Sequence, residues 1–251
     1  ITGEATSNYF GYRITSGDLN ADGKTDLAVG AYGHSTATGR TYIFYNDGSI
    51  STTAASADVI ITGETTSNNF GLSLATGDLN ADGETDLVVG AQSYSASAGR
   101  AYIFYNGSIT TENASGADVI ITGETNSAFG YTLISGDFNA DSKLDLAVGS
   151  ATYSSLTGRA YVFYNDGSIP TTAATADVII TGETTSNWFG GSSIVAGDLN
   201  ADGKTDLAVG AYSYSTNIGR VYIFYNGSIT TENASGADVI ITGEASGYLG
   251  I

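Results

Sequence analysis

A nine-residue run is written four times along this chain, and it constrains the fold more than any other feature. The first copy is Asp18-Leu19-Asn20-Ala21-Asp22-Gly23-Lys24-Thr25-Asp26, and it returns at 78–86, 137–145 and 198–206. The starting aspartates stand 60, 59 and 61 residues apart. Self-similarity at a fixed period is the mark of repeat architectures, where each unit buries its apolar faces only against its neighbours.

Each run places side-chain oxygens at positions 1, 3, 5 and 9. The four sets are Asp18, Asn20, Asp22 and Asp26; Asp78, Asn80, Asp82 and Asp86; Asp137, Asn139, Asp141 and Asp145; and Asp198, Asn200, Asp202 and Asp206. Position 6 is Gly in three copies and Ser142 in the third. Alternate inward-pointing oxygens, a sharp turn at Gly and a final Asp able to close with both oxygens suit a hard cation. Asp, Asn and Gly also dominate ordinary turns, but all sixteen ligand positions are filled. The pattern predicts Ca²⁺, about four ions, one per repeat. Position 12 is Val29, Val89, Val148 or Val209 rather than Glu, so the loop is not an EF-hand.

Composition narrows the function classes. The chain has no cysteine, which removes disulfides, thiol catalysis and thiolate metal sites. A net charge of −18 argues against nucleic acid and anionic membrane surfaces as partners, and no apolar run is long enough for membrane insertion. An acidic chain without Met reads as extracellular or cell-surface. No initiator Met precedes Ile1, so it reads as a mature form or part of a longer chain.

Each repeat carries four strand-like runs bounded by turn residues. In the first they are 10–17, 26–31, 40–46 and 57–64, rich in Val, Ile, Tyr and Phe. Runs such as Tyr42-Ile43-Phe44-Tyr45 are apolar on both faces, which predicts sheets covered on both sides. The expected class is all-β: four-stranded antiparallel blades packed face to face as a β-propeller, with a linear stack as the rival arrangement. Blade boundaries are expected near 5–64, 65–124, 125–183 and 184–244 within one repeat domain of 1–251. The last residues, 245–251, imitate the start of a further repeat.

Three spaced motifs recur in order: Phe10-Gly11, Phe70-Gly71, Phe129-Gly130 and Phe189-Gly190; the aspartate loops; and Gly30-Ala31, Gly90-Ala91 and Gly210-Ala211. In this the chain resembles FG-GAP repeats, the blades of integrin α-subunit propellers and their bacterial relatives. The resemblance covers essentially the whole chain. It departs at Gly149-Ser150 and at Tyr32, Gln92, Ala151 and Tyr212, where the family usually has Pro. It implies a propeller that usually has seven blades, against the four seen here, so the four form either a closed ring or part of a larger propeller or array.

A second period lies above the first. Residues 102–124 and 222–244 are identical, which points to duplication of a two-blade unit and favours a scaffold or repeated binding surface. The matched ends, Ile1 to Glu4 and Tyr248 to Ile251, predict head-to-tail self-association through exposed strand edges.

Antiparallel connectivity puts the aspartate loops on one rim of the blades. On the opposite rim fall Tyr9, Tyr32, His34, Tyr94, Tyr153, Trp188, Tyr212 and Tyr214, the candidate ligand face for a protein or glycan. In the integrin-like propellers this is the face that meets ligands. The same rings could simply pack between blades. Arg40, Arg100, Arg159 and Arg220 open every third strand, and Glu4, Glu64, Glu124, Glu183 and Glu244 end every fourth, so they are expected to pair structurally. Asn106, Asn113, Asn226 and Asn233 lie in glycosylation sequons that also serve as turns.

No catalytic constellation is present, and the one His belongs to a single repeat. The expectation is a calcium-binding extracellular adhesion or assembly module without catalysis. The alternatives are a lectin-like polysaccharide-binding propeller and an accessory domain of a carbohydrate-active enzyme.

Overall fold

The computed structural model describes residues 1–244 and 247–250. Four antiparallel sheets follow one another along the chain. The first is built from Arg13–Gly17, Asp26–Ala31, Arg40–Phe44 and Val59–Thr62, and the second from Ser73–Gly77, Asp86–Ala91, Arg100–Phe104 and Val119–Thr122. The third uses Phe129–Gly136, Asp145–Ser150, Arg159–Phe163 and Val178–Thr181, and the fourth Ile194–Gly197, Asp206–Ala211, Arg220–Phe224 and Val239–Thr242. The second strand of each matches the expected DLAVGA-type run, while the other three are shorter than the apolar runs that contain them, except Phe129–Gly136, which fills its run. His34–Ala37 and its three counterparts are turns rather than α-helices, with left-handed backbone at Ser35 (φ 47°), Thr36 (57°) and Ala37 (59°).

Side chains on both faces of each inner sheet are buried, as runs without alternation require. Asp86–Ala91 is buried at all six positions. Three apolar cores result, between the first and second sheets, the second and third, and the third and fourth. The first sheet adds a smaller cluster around Tyr42 and Phe44.

Among the described residues, no core joins the fourth sheet back to the first. Ile121 is 0 % exposed under the third sheet, whereas Ile241, in the identical stretch of the fourth, is 47 % exposed. Ile14 is 65 % exposed, and its counterparts Leu133 and Ile194 are 8 %. The four blades therefore stand as an open series, and the closed four-bladed form is not the arrangement present.

Glycine at the seams lets neighbouring blades touch backbone to backbone. A Cβ on Gly30, Gly90, Gly149 or Gly210 would lie within 2.2 Å of the carbonyl oxygen of Gly71, Gly130, Gly190 or Gly250 on the following unit. Phe70, Phe129 and Phe189 each bridge in parallel to the glycine before the preceding blade's third strand, as in Gly39 to Phe70. Each then stacks edge-on against the Tyr of its own third strand, Phe70 on Tyr102 at 5.4 Å.

The chain ends use the same seats, which corrects the expectation of free edges there. The Thr2 N–H donates to Thr52 at 2.8 Å and the Thr2 carbonyl accepts from Ala54 N–H. Leu249 bridges to Gly219, and Ser193 Oγ donates to the Gly250 carbonyl at 3.0 Å. Both ends are thus docked on their own chain. Of the expected further repeat, Ala245, Ser246 and Ile251 lie outside the described residues.

One buried polar atom distinguishes the first blade. Thr41 is fully buried, its Oγ1 lacks a partner, and the other blades place Ala101, Ala160 or Val221 there. A buried hydroxyl without a hydrogen bond costs about 1–3 kcal/mol. Thr41→Ala is expected to raise stability by about 1 kcal/mol, read as a higher urea midpoint at unchanged slope.

Candidate metal loops and the opposite rim

The four aspartate loops share one architecture. Each connects the first strand to the second, and its ninth residue opens the second strand. That residue, Asp26, Asp86, Asp145 or Asp206, is at most 1 % exposed. Asp26 accepts from Leu19 N–H at 2.9 Å through Oδ2 and from Asn46 N–H at 2.8 Å through Oδ1, and the other three repeat both bonds. The ninth Asp therefore anchors the base of the loop, a structural duty the spacing alone does not reveal. Burial pushes the Asp86 carboxyl up to about 6, opposed by its two N–H donors and reinforced by Asp82 and Asp78; Asp145 is pushed up to about 6 in the same way.

The loop head is exposed and self-bonded. Asp18 accepts from Asp22 N–H at 3.1 Å and Gly23 N–H at 2.8 Å, and Asn20 Oδ1 accepts from Asp22 N–H. Position 4 is left-handed in every copy (Ala21 φ 57°, Ala81 59°, Ala140 60°, Ala201 63°), which sequence reasoning missed because Ala carries no such signal. Position 6 is left-handed as expected: Gly23 82°, Gly83 89°, Gly203 84° and Ser142 70°. A Cβ on Gly23 would meet nothing within 4 Å, so this Gly serves conformation and not space.

The donors are oxygens throughout, three carboxylates and an amide within nine residues, which fits a hard cation. Among the described residues, no three His, Cys, Asp or Glu groups are already drawn together as a metal cage. The side chains at positions 1, 3 and 5 instead cap the turn's own N–H groups.

Ser142 gives this geometry a direct check. A non-glycine residue in left-handed backbone costs roughly 1 kcal/mol or more. Ser142→Gly is expected to raise the melting temperature measurably and to strengthen cation binding at the third loop about fivefold, while Gly83→Ser should weaken the second. A titration in which the unaltered third loop binds most tightly would contradict this.

On the same rim, Asn106 and Asn226 staple neighbouring blades. Asn106 Nδ2 donates to the Asp18 and Thr85 carbonyls, and Asn226 Nδ2 to those of Asp137 and Thr205. Asn113 and Asn233 donate to Gly63 and Gly182. A glycan on any of these sequons would have to displace a blade-to-blade bond.

The opposite rim divides the eight candidate ligand residues into two groups. Tyr94, Tyr153 and Tyr214 lie flat under Arg100, Arg159 and Arg220, with the guanidinium carbon 3.6–3.7 Å from the ring centroid. Each of these arginines also pairs with the glutamate that ends the preceding blade: Arg100 with Glu64 at 2.5 Å, Arg159 with Glu124 at 2.6 Å and Arg220 with Glu183 at 2.7 Å. In the first blade Arg40 pairs with Glu4 at 3.0 Å, and His34 Nε2 takes the Tyr place at 3.1 Å from Glu4. Burial, then Arg40, lower the His34 pKa. These four rings belong to the junction between linker and blade, as the pairing expectation for Arg and Glu implied. Among the described residues, Glu244 has no arginine partner.

The second group comprises Tyr9, Tyr32, Trp188 and Tyr212. Tyr9 stacks on Tyr32 at 4.8 Å with planes 2° apart, and Trp188 leans on Tyr212 at 5.7 Å. Tyr12 and Tyr131, absent from the sequence-derived set, join them edge-on, at 4.8 Å from Tyr32 and 6.5 Å from Trp188. Their signal was present in the sequence: both follow directly on a Phe-Gly pair.

Four-stranded blades sharing cores through glycine seams, each with an acidic hairpin loop, define a protein of β-propeller blades. The chain belongs to the FG-GAP repeat family, which matches residues 10–44, 70–104, 129–163 and 190–224, more than half of its length. It is 32 % identical over 246 residues to integrin alpha-PS2 of Drosophila melanogaster, covering 90 % of this chain and 16 % of that protein. It is 32 % identical over 221 residues to human phosphatidylinositol-glycan-specific phospholipase D, covering 80 % and 26 %, and 28 % identical over 248 residues to integrin alpha-5 of Xenopus laevis, covering 89 % and 22 %. The chain thus spans about a quarter or less of these relatives' length. Among the described residues, no helix is long and apolar enough to cross a membrane.

Proposed function

We propose that this chain is a calcium-stabilised extracellular adhesion and assembly module, a single repeat domain over 1–251 that carries no catalysis of its own. The observation that carries the reading is the contrast between the two rims. One rim repeats the same acidic loop four times, as a structural device would. The other departs from repeat to repeat in aromatic side chains, exposed at Tyr9 and Tyr12 and half-buried at Tyr32, Trp188 and Tyr212, as a recognition surface would. Kinship with integrin α-subunits supports adhesion, and kinship with a phospholipase D supports an accessory domain as the second reading.

Calcium would be held by the oxygens of Asp18, Asn20 and Asp22 and their counterparts, over the base set by Asp26, Asp86, Asp145 and Asp206. Bound there, the ion supplies charge neutralisation and no reaction chemistry. The open apolar faces of the first and fourth blades (Ile14, Val195, Leu199, Ile240 and Ile241 are exposed) are the surfaces through which copies would associate head to tail.

Beads bearing the chain are expected to adhere to cell surfaces in calcium and to detach in chelator. A Tyr32→Ala, Trp188→Ala double variant should lose most of that adhesion while melting normally. Undiminished adhesion by the variant would remove the recognition rim from the reading.

A further inference from the structure

Arg13, whose guanidinium lies over the Tyr12 ring, opens onto a cavity between the blades. It has a volume of about 250 Å³ and is lined by the inner strands of all four: Arg13, Ser73, Leu74, Thr132, Leu133, Ser192, Ser193 and Ile194. Four of these residues share one repeat position, paired with or bonded to Gly30, Gly90, Gly149 or Gly210. Three are hydroxyls that latch the next unit: Ser73 to the Gly130 carbonyl at 2.7 Å, Thr132 to Gly190 at 2.9 Å and Ser193 to Gly250 at 3.0 Å. The fourth is Arg13, which gives up that latch. It is exposed, donates only to the neighbouring Tyr12 carbonyl at 3.4 Å and lies 4.9 Å over the Tyr12 ring. Every other arginine on this rim is held by a glutamate.

The aromatic rings adjoin this lining without forming it: Tyr12 and Tyr131 directly precede the lining residues Arg13 and Thr132, and the set is drawn from three blades. Tyr9, Tyr12 and Tyr32 come from the first, Tyr131 from the third, and Trp188 and Tyr212 from the fourth. Tyr131 bridges the two sets. Burial raises its phenol pKa, Tyr12, Tyr212 and Tyr32 raise it further, and Arg13 opposes them.

The repeat is its own control. Where the first blade has Tyr9, Tyr12 and Tyr32, the second has Asn69, Leu72 and Gln92 and folds into the same sheet. The fold therefore does not need these rings. Tyr9 and Trp188 moreover occupy left-handed backbone (φ 54° and 57°) at a position where Asn69 and Ala128 also stand. For bulky side chains that conformation is costly, and strain of this kind gathers at functional sites.

We propose that this cavity binds a carboxylated sugar residue, a uronate or sialate unit of an acidic polysaccharide. Flat aromatic faces stack on the C–H faces of a pyranose ring, and the Ser73, Thr132, Ser192 and Ser193 hydroxyls offer hydrogen bonds to its hydroxyls. The Arg13 guanidinium meets the carboxylate in a charge-assisted pair. The acidic loops that dominate the net charge lie on the far rim. This names a ligand for the adhesive rim proposed above and so rests on that reading.

Trp188 is the only tryptophan, so its fluorescence reports this rim alone. The test titrates the whole chain, at fixed calcium, with trigalacturonate, sialyllactose, their neutral counterparts galactotriose and lactose, and triglutamate. At least one acidic saccharide is expected to change the Trp188 emission saturably, at least tenfold more tightly than its neutral counterpart and than triglutamate. Arg13→Ser installs the residue of the second and fourth blades and should leave the melting temperature unchanged or higher, yet weaken acidic-saccharide binding tenfold or more. Tyr32→Leu should weaken it as well. A response equal for acidic and neutral sugars, a preference for triglutamate, no response to any saccharide, or full binding by Arg13→Ser would each overturn the proposal. Adhesion of coated beads persisting under any of these results would leave the adhesion reading intact.

Discussion

Chelating divalent cations is expected to lower the melting temperature of this chain by on the order of 20 °C or more. An ion bound only by the folded state adds about 2.7 kcal/mol at a hundredfold excess over its Kd, and there are four loops. For a chain of this length each kcal/mol shifts the melting temperature by about 2–4 °C. The structure shows where the stabilisation would be lost. Asp18 and Asp22 and their counterparts crowd negative charge into an exposed head, while the ninth carboxylates are buried against two N–H donors each. Without a cation those charges repel, offset only by backbone amides, by the side-chain amides of Asn80, Asn139 and Asn200, and in the first loop by Lys24, which pairs with Asp22 at 2.9 Å. Calorimetry in chelator, then with calcium restored, measures the effect. Magnesium should restore less, because it demands a tighter octahedron than a nine-residue turn offers. A melting curve unmoved by exhaustive chelation would dismiss the metal assignment.

Gly90→Ala is expected to cost about 3 kcal/mol or more, several times the cost of Gly23→Ala. The added Cβ on Gly90 would lie 2.2 Å from the Gly130 carbonyl oxygen and 2.1 Å from Ser73 Oγ, so the second and third blades would have to part. That movement also strips the latch between Ser73 and Gly130 and loosens the core that holds Phe129. At Gly23 the same atom meets nothing, and only the left-handed backbone, φ 82°, carries a cost of about 1 kcal/mol. Urea denaturation of the two variants side by side separates close approach from conformation. Equal losses would mean that the glycine seam is not what joins the blades.

The chain's own duplications show which parts of the design were open to inspection. Residues 102–124 and 222–244 are identical and form the same strands, yet Ile121 is sealed and Ile241 lies half open. Local sequence wrote the strand, and the neighbouring blade decided its burial. Tyr94 and Tyr32 are both rim tyrosines of their repeats, and nothing local tells them apart. One is claimed by an arginine six residues on, and the other stacks on a ring 23 residues earlier. The junction between Arg and Glu was anticipated because five glutamates and four arginines recur in step. The docking of both chain ends was not, since an edge motif looks the same whether seated or free.

By itself the sequence determined the strands, the turns and the period. Apolar runs, Gly and Asp are read by forces acting over a few residues, and four repetitions removed the ambiguity that one copy would leave. It also determined the all-oxygen chemistry of the loops. Only the tertiary structure decided that the ninth aspartate is a buried anchor, that three of the rim tyrosines are held under arginine, and that Arg13 opens onto a cavity lined from all four blades. Those are meetings across a folded turn, between backbone and side chain, or between blades up to about 180 residues apart, and none is written in the local run of residues.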